Sequence, residues 1–297
     1  MARNFWEMIR AKWAMGKFVC VGLDSELDKI PSITRRHYVG GRGGSLCVSV
    51  IETMTIFNRA IVETTHDLVC AYKPNSAFYE AHGVEGLTAL QRTILDIHRI
   101  APDVPVILDA KRAGIDNTNN GYVKMAFDYL GADAITVNPY LGTEALQPFL
   151  DRTDKGIFIL CRTSNKGASE IQGLMVPSLQ GQVPLYQHVA RLAAGPWDTN
   201  HNVGLVVGAT APEELRVVRD VVGDGMPILI PGIGAQGGNV EQTVCAGQNS
   251  RGEGMIINSS RGIIFASSGV DFAEAARAKV LELHREINLY VRKEVTK

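Results

Sequence analysis

Asp109 and Lys111 stand two residues apart where an apolar run, 104–108, ends. Lys73 closes a second apolar run, 68–72, in the same way. Buried parallel strands deliver charged groups to a pocket at their C-terminal ends in this manner. Residues two apart on a strand point to one face, so Asp109 and Lys111 are expected to project together with Lys73 beside them. Charges taken out of water must be paired, and a Lys–Asp–Lys row meets that demand. A structural ion pair closing a sheet would use the same residues, but three charges converging on one rim favour an acid–base site.

A second constellation lies near the end of the chain. Pro231-Gly232-Ile233-Gly234-Ala235-Gln236-Gly237-Gly238 contains G-x-G-x-x-G and is expected to open a helix. A dinucleotide fingerprint belongs on the first strand of a βαβ unit, whereas this match follows the seventh apolar run. Barrels build phosphate sites there, from the loops after strands seven and eight and a helix N-terminus. Asn258-Ser259-Ser260-Arg261-Gly262 follows the eighth run and adds a guanidinium suited to bidentate phosphate binding. Glycines serving only as turn formers are the alternative. The pocket should therefore hold a phosphorylated small molecule at one edge and the Lys/Asp row at the other. The seven histidines are scattered, with no H-E-x-x-H and no cage of acids, so no metal is expected. No serine sits in a G-x-S-x-G elbow.

The elements that position these groups are legible as eight apolar runs: 18–23, 68–72, 104–108, 134–137, 156–161, 203–207, 227–230 and 254–257. They lack in/out alternation, which predicts strands buried on both faces. Helical patterns are expected over 51–66, 84–100, 120–130, 212–222 and 270–291, the last with Phe272, Ala276, Val280, Leu283 and Ile287 at helical spacing. The series predicts an α/β fold, a (β/α)8 TIM barrel in a single domain over 1–297. A doubly wound sheet is the alternative, disfavoured because almost every run ends in polar or glycine residues suited to one shared rim. Residues 37–49, with a Gly-rich centre, read as a flexible surface insertion. Residues 165–182 read as a long loop, either a lid over the rim or plain mobile chain.

The chain has 297 residues, 45% hydrophobic, with a formal net charge of −1 and both signs mixed along it. No basic stripe suggests a nucleic-acid partner, and no apolar run approaches the roughly 18–20 residues of a spanning helix. The N-terminus lacks the apolar region of a signal peptide. The five cysteines form no C-x-x-C, and Cys20, Cys70 and Cys161 fall in apolar runs, which suits core thiols in a reducing, cytosolic protein. The C-terminal Val-Thr-Lys is not the usual peroxisomal tripeptide.

With these residues assembled, the chain resembles the orotidine 5′-phosphate decarboxylase family, in its bacterial-type group that also occurs in some protozoa. The resemblance covers nearly the whole chain and rests on Val-Gly-Leu-Asp24, Tyr-Lys73-Pro-Asn75-Ser-Ala-Phe78-Tyr-Glu, Asp109-Ala-Lys111-Arg, Asn117-Thr118, Arg-Thr163-Ser164-Asn, Pro-Gly-Ile-Gly-Ala-Gln236-Gly-Gly and Ser-Ser-Arg261-Gly. It implies removal of CO2 from orotidine 5′-monophosphate to give UMP in pyrimidine synthesis, without metal or organic cofactor. It assigns Lys73, Asp109 and Lys111 to catalysis, with Lys111 protonating C6. It assigns Asp24 and Asn75 to the ribose or reacting end, Ser164 to the pyrimidine edge, and Gly234, Gln236, Gly237 and Arg261 to the phosphate. It also implies a homodimer in which Thr118 reaches the neighbouring active site.

One position departs from that family. Its pattern is Asp-x-Lys-x-x-Asp, and Gly114 stands where the last aspartate is expected, with Asp116 two residues late. The expectation is that fold, dimer and phosphate grip survive while turnover falls, unless Asp116 compensates. Two rival readings follow: a phosphosugar lyase or isomerase on the same barrel, and a nucleotide-binding relic. The family's activity is often linked to orotate phosphoribosyltransferase. No phosphoribosyl-pyrophosphate loop is present here, so that step is expected on a fused domain or a separate partner.

Overall fold

Apolar residues that run without alternation can be buried on both faces only inside a parallel sheet wrapped by helices. The computed structural model, which describes residues 3–40, 45–179, 181–234 and 237–292, shows that arrangement. Eight parallel strands follow in chain order: Val19–Leu23, Ala71–Pro74, Ile107–Arg112, Ala134–Val137, Gly156–Arg162, Val203–Val207, Ile228–Pro231 and Met255–Ser259. Their spatial order, by position in that series, is 2-1-8-7-6-5-4-3. Parallel bridges Tyr72↔Val106 and Asn75↔Asp109 bring the second and third strands together and nearly close the ring. The first, second, fourth, sixth and eighth strands are buried throughout. One hydrophobic core joins strands and helices. The expected (β/α)8 barrel is present.

The outer helices include Val50–Thr65, Gly83–Ile100, Pro212–Val222 and Phe272–Tyr290, all at expected places. The helix expected over 120–130 divides into Thr118–Val123 and a wider π-helical turn, Lys124–Tyr129. An N-terminal helix, Phe5–Ala14, was not anticipated. Asn4 caps it by accepting from the Trp6 and Glu7 N–H groups, and Phe5, Ile9 and Trp13 turn inward. Phe5 packs edge-on against Phe158 at 5.5 Å. That approach needs Gly156, because a Cβ there would lie 2.5 Å from the Phe5 ring. The helix thus covers the barrel end opposite the rim. Cys20, Cys70 and Cys161 are free and buried, as expected of core thiols.

Both insertions carry structure that sequence did not suggest. The first is an antiparallel hairpin, His37–Gly40 with Ser45–Val48; residues 41–44 lie outside the described residues. The segment read as a long loop holds a helix, Ala168–Gln172, and a hairpin, Met175–Ser178 with Gly181–Pro184. These elements have too few residues for a periodic pattern to emerge, and cross-strand pairing rather than local propensity defines them.

Candidate active site

Lys73 lies in the second strand, 3% exposed, with its Nζ 3.0 Å from Asp109 Oδ2 and 3.9 Å from Asp24 Oδ1. Lys111 Nζ sits 2.6 Å from the other Asp109 oxygen, Oδ1. One carboxylate therefore bridges two ammonium groups. Burial by itself would raise the Asp109 pKa, but Lys73 and Lys111 outweigh it and hold the carboxyl well below its usual range. Burial would likewise lower Lys73, and Asp109 and Asp24 together hold it above the ordinary lysine value. Asp109 and Lys73 are thus ionised at neutral pH. Lys111 differs from Lys73 in access: its side chain is 49% exposed, so its ammonium faces the pocket as well as Asp109.

The expected Lys–Asp–Lys row forms, but not through strand alternation. The ladder between the third and fourth strands loses register between Leu108 and Arg112, and Lys111 has φ +49°, in the left-handed region. The backbone bulges across Asp109–Lys111, and the long lysine folds back onto Asp109. Thr136, on the fourth strand, bonds to this bulge; sequence pattern had marked it only as part of an apolar run.

The row forms one wall of a pocket of about 470 Å³. Thr163, Ser164 and Asn165 follow the fifth strand and line it, Gly232 and Ile233 follow the seventh, and Asn258, Ser260 and Arg261 line the far side. Leu160, Val206 and Leu229 supply an apolar surface between the charged wall and the polar rim. Those three residues were missed, since inside apolar runs nothing distinguishes a pocket-facing side chain from a core one. Asn75 lines the pocket and also caps the helix Ser76–Glu80, accepting from the Ala77 N–H at 3.2 Å. Among the described residues, no hydrogen bond reaches the buried Asp24 Oδ1 or Asn258 Oδ1, and none reaches the exposed Arg261 guanidinium. Two acceptors and one cationic fork in the pocket lining are therefore without hydrogen bonds among the described residues.

The segment after the fifth strand braces the rim. Gln172 accepts from the Thr163 N–H at 2.9 Å and donates to Thr163 Oγ1 at 2.7 Å, holding the residue before Ser164. Gly208 lets Ser164 approach, since a Cβ there would lie 2.8 Å from Ser164 Cβ.

The remaining predicted residues are placed differently. Gly234 borders a separate groove with Ile263 and Lys279, and neither it nor Gly237 lines the main pocket. Both have positive φ and build the turn before the helix Val240–Gly247. Gln236 lies outside the described residues. Thr118 lies in a separate groove with Arg112 and Tyr122 and does not line the main pocket of its own chain. Asn119, fully buried, clamps Gly114: it accepts from the Gly114 N–H at 2.6 Å and donates to the Gly114 carbonyl at 2.8 Å. Asp116 has turned away from the row. It lies beside Glu144, whose carboxyl it holds above its ordinary pKa.

A family profile described as "Orotidine 5'-phosphate decarboxylase / HUMPS family" matches residues 18–277. The chain belongs to this family. It is 44% identical over 287 residues to the orotidine 5′-phosphate decarboxylase of Cellvibrio japonicus, covering 96% of this chain and 98% of that one. Against the Herpetosiphon aurantiacus orotidine 5′-phosphate decarboxylase it is 47% identical over 259 residues, 87% and 88% of the two chains. The solved Leishmania donovani OMP decarboxylase superposes with a TM-score of 0.77 at 36% identity, covering 96% of this chain and 99% of that one. The Leishmania donovani UMP synthase superposes with a TM-score of 0.81 at 38% identity; 97% of this chain is covered, spanning 57% of that longer chain. In this family setting the charged row, the rim after the fifth strand and Arg261 occupy the ends of different barrel strands, the usual place for chemistry on this fold.

Proposed function

We propose that this chain decarboxylates orotidine 5′-monophosphate to UMP, with Lys73, Asp109 and Lys111 at the reacting end. The observation that carries this reading is the Asp109 carboxylate held between two ammonium groups, one of them open to the pocket. When the C6–carboxylate bond breaks, CO2 leaves and the electron pair stays on C6. Lys111 Nζ stabilises that carbanion and gives it a proton, and solvent then reprotonates the neutral amine. Asp109 orients Lys111 and crowds the substrate carboxylate, while Asp24 Oδ1 and Asn75 accept from ribose hydroxyls. Ser164 reads the pyrimidine edge, and Leu160, Val206 and Leu229 pack on the ring. Arg261, with Gln236 and the backbone of Gly234 and Gly237, takes the phosphate, so that binding energy far from C6 can organise the reacting end.

The reading places two copies together, with Thr118 of one near the site of the other. Exposed Ile115, Tyr140 and Leu141, close in sequence to the Thr118 groove, support this apolar contact. It also places orotate phosphoribosyltransferase immediately before this step, on a fused or separate protein, and the chain in the cytoplasm. No helix of the described residues is long and apolar enough to cross a membrane.

Gly114 limits the rate in this reading. Asp116 lies beside Glu144 and does not stand in for the missing aspartate. An aspartate at 114 would put Cβ 2.5 Å from Thr118 Oγ1, so Thr118, which donates to the Ile115 carbonyl, must shift to admit it. Loss of absorbance on conversion of orotidine 5′-monophosphate to UMP tests both claims. The chain is expected to turn over slowly, and Gly114→Asp to accelerate it by about 10²–10³-fold. Equal rates would reject the role of position 114. Absence of turnover in both chains would reject the reaction, and borohydride trapping or loss of activity in EDTA would favour the phosphosugar alternative.

A further inference from the structure

We propose that Thr136 is the positioning residue for the Asp109–Lys111 pair, a role that rests on the decarboxylase reading for its kinetic consequence. Thr136 is 1% exposed and borders the pocket. Its Oγ1 accepts from the Ala110 N–H at 3.0 Å and the Lys111 N–H at 2.9 Å, and donates to Asp109 Oδ1 at 2.9 Å. A threonine hydroxyl has one proton and two acceptor lone pairs. All three are used, and all on one segment of the adjacent strand.

That segment is where the strand ladder fails. Register is lost between Leu108 and Arg112, and Lys111 takes φ +49°. Buried N–H groups in a bulge need acceptors that the ladder no longer offers. The Thr136 hydroxyl supplies them, and so replaces the ladder across the two residues that carry the catalytic lysine. The same oxygen fixes the carboxylate. Asp109 Oδ1 receives Thr136 and Lys111, while Oδ2 receives Lys73. With one oxygen committed on each side, the carboxylate plane cannot rotate freely. Thr136 thereby sets where both the carboxylate and the ammonium of the row stand.

Valine at this position keeps the branched shape and removes the hydroxyl, whereas serine keeps the hydroxyl and loses a methyl. In both the parent and the Gly114→Asp chain, Thr136→Val is expected to lower kcat about 10²-fold, the scale of a small misplacement of catalytic groups. KM and the UMP dissociation constant should stay near the parent's, because Arg261 is untouched. Thr136→Ser should restore most of kcat. Amide hydrogen exchange should speed up at Ala110 and Lys111 in the valine variant only. If Thr136→Val does not fold, Thr136→Ala takes its place with the same expectations. Parent-like kcat in the valine variant, or a serine variant as slow as it, would overturn the proposal. If neither parent nor Gly114→Asp releases CO2, the decarboxylase reading fails. Amide exchange then decides the positioning claim by itself, and parent-like protection in the valine variant overturns it.

Discussion

Two buried carboxylates sit at opposite ends of this barrel, each between basic side chains, and they do different work. At the closed end, Asp133 takes Arg3 bidentately at 2.8 Å through Nε and Nη2, accepts from the Val106 N–H at 2.9 Å, and has His98 at 3.5 Å. Arg3 also donates to the carbonyls of Pro102 and Val104. At the open end, Asp109 bridges Lys73 and Lys111, and Asp24 Oδ1 beside it has no hydrogen-bond partner among the described residues. The lower carboxylate uses a planar fork whose three nitrogens all donate to protein. The upper one uses point charges, and one of them remains open to a cavity. Charge and burial are therefore not what separates a stabilising ion pair from a reactive one; the separation lies in whether one of its charges faces a pocket.

The largest test of that contrast is Lys111→Ala. It should reduce decarboxylation by about 10³-fold or more, since it removes the proton donor and one charge of the row. Its melting temperature should move less than that of a lower-end variant. Parent-like rates would place the chemistry elsewhere.

Asp133→Asn should do the reverse. It leaves the Arg3 guanidinium, whose side chain is only 23% exposed, without its counter-charge. A loss of about 2–3 kcal/mol in urea unfolding is expected, less than for a fully buried pair, with kcat unchanged. A comparable fall in kcat would mean that the two ends are coupled.

Acid should weaken the lower pair in a defined window. Burial would raise the Asp133 carboxyl, but Arg3 and His98 outweigh it and hold it at about 2. Its folded pKa thus lies below its unfolded value, near 3.9, so the unfolded chain binds more protons between them and stability falls with pH. About 2 kcal/mol present above pH 4 should be lost as pH drops towards 2. Asp109 is displaced in the same direction and adds to the effect. Urea unfolding of the parent and Asp133→Asn at pH 7, 4 and 3 should show the gap between them narrowing; a constant gap would refute this origin.

The smallest effect concerns the turn beside the row. Asp116 holds φ +51°, a conformation glycine adopts without strain, although aspartate tolerates it better than most residues. Asp116→Gly should change stability by less than about 1 kcal/mol, and should help Gly114→Asp rather than oppose it. A loss of activity on removing the Asp116 carboxylate would show that it serves the site after all.

The barrel itself was legible because its signal is local and repeated. Apolar runs without alternation, separated by helical patterns, describe the series wherever each strand begins. Strand ends were read less well: the third strand continues to Arg112 rather than stopping at Leu108, since a charged run inside a strand carries no hydrophobic signature. Lys73, Asp109, Lys111 and Arg261, identifiable by chemistry, and Asp24, Asn75 and Ser164, implied by the family resemblance, were found around one pocket. Gly234 and Gly237 were assigned through a glycine pattern; both have positive φ, and neither lines the main pocket.

Amino-acid sequence by itself determined the class of fold, the charged groups and the family, because each is written in residue types and short spacings. Tertiary structure decided how those groups meet. The near-closure of second strand on third, the bulge that brings Lys111 back to Asp109, the Thr136 hydroxyl beneath it and the turning of Asp116 towards Glu144 all join segments folded separately. Such contacts depend on the packing of neighbouring strands and helices, and no local period encodes them.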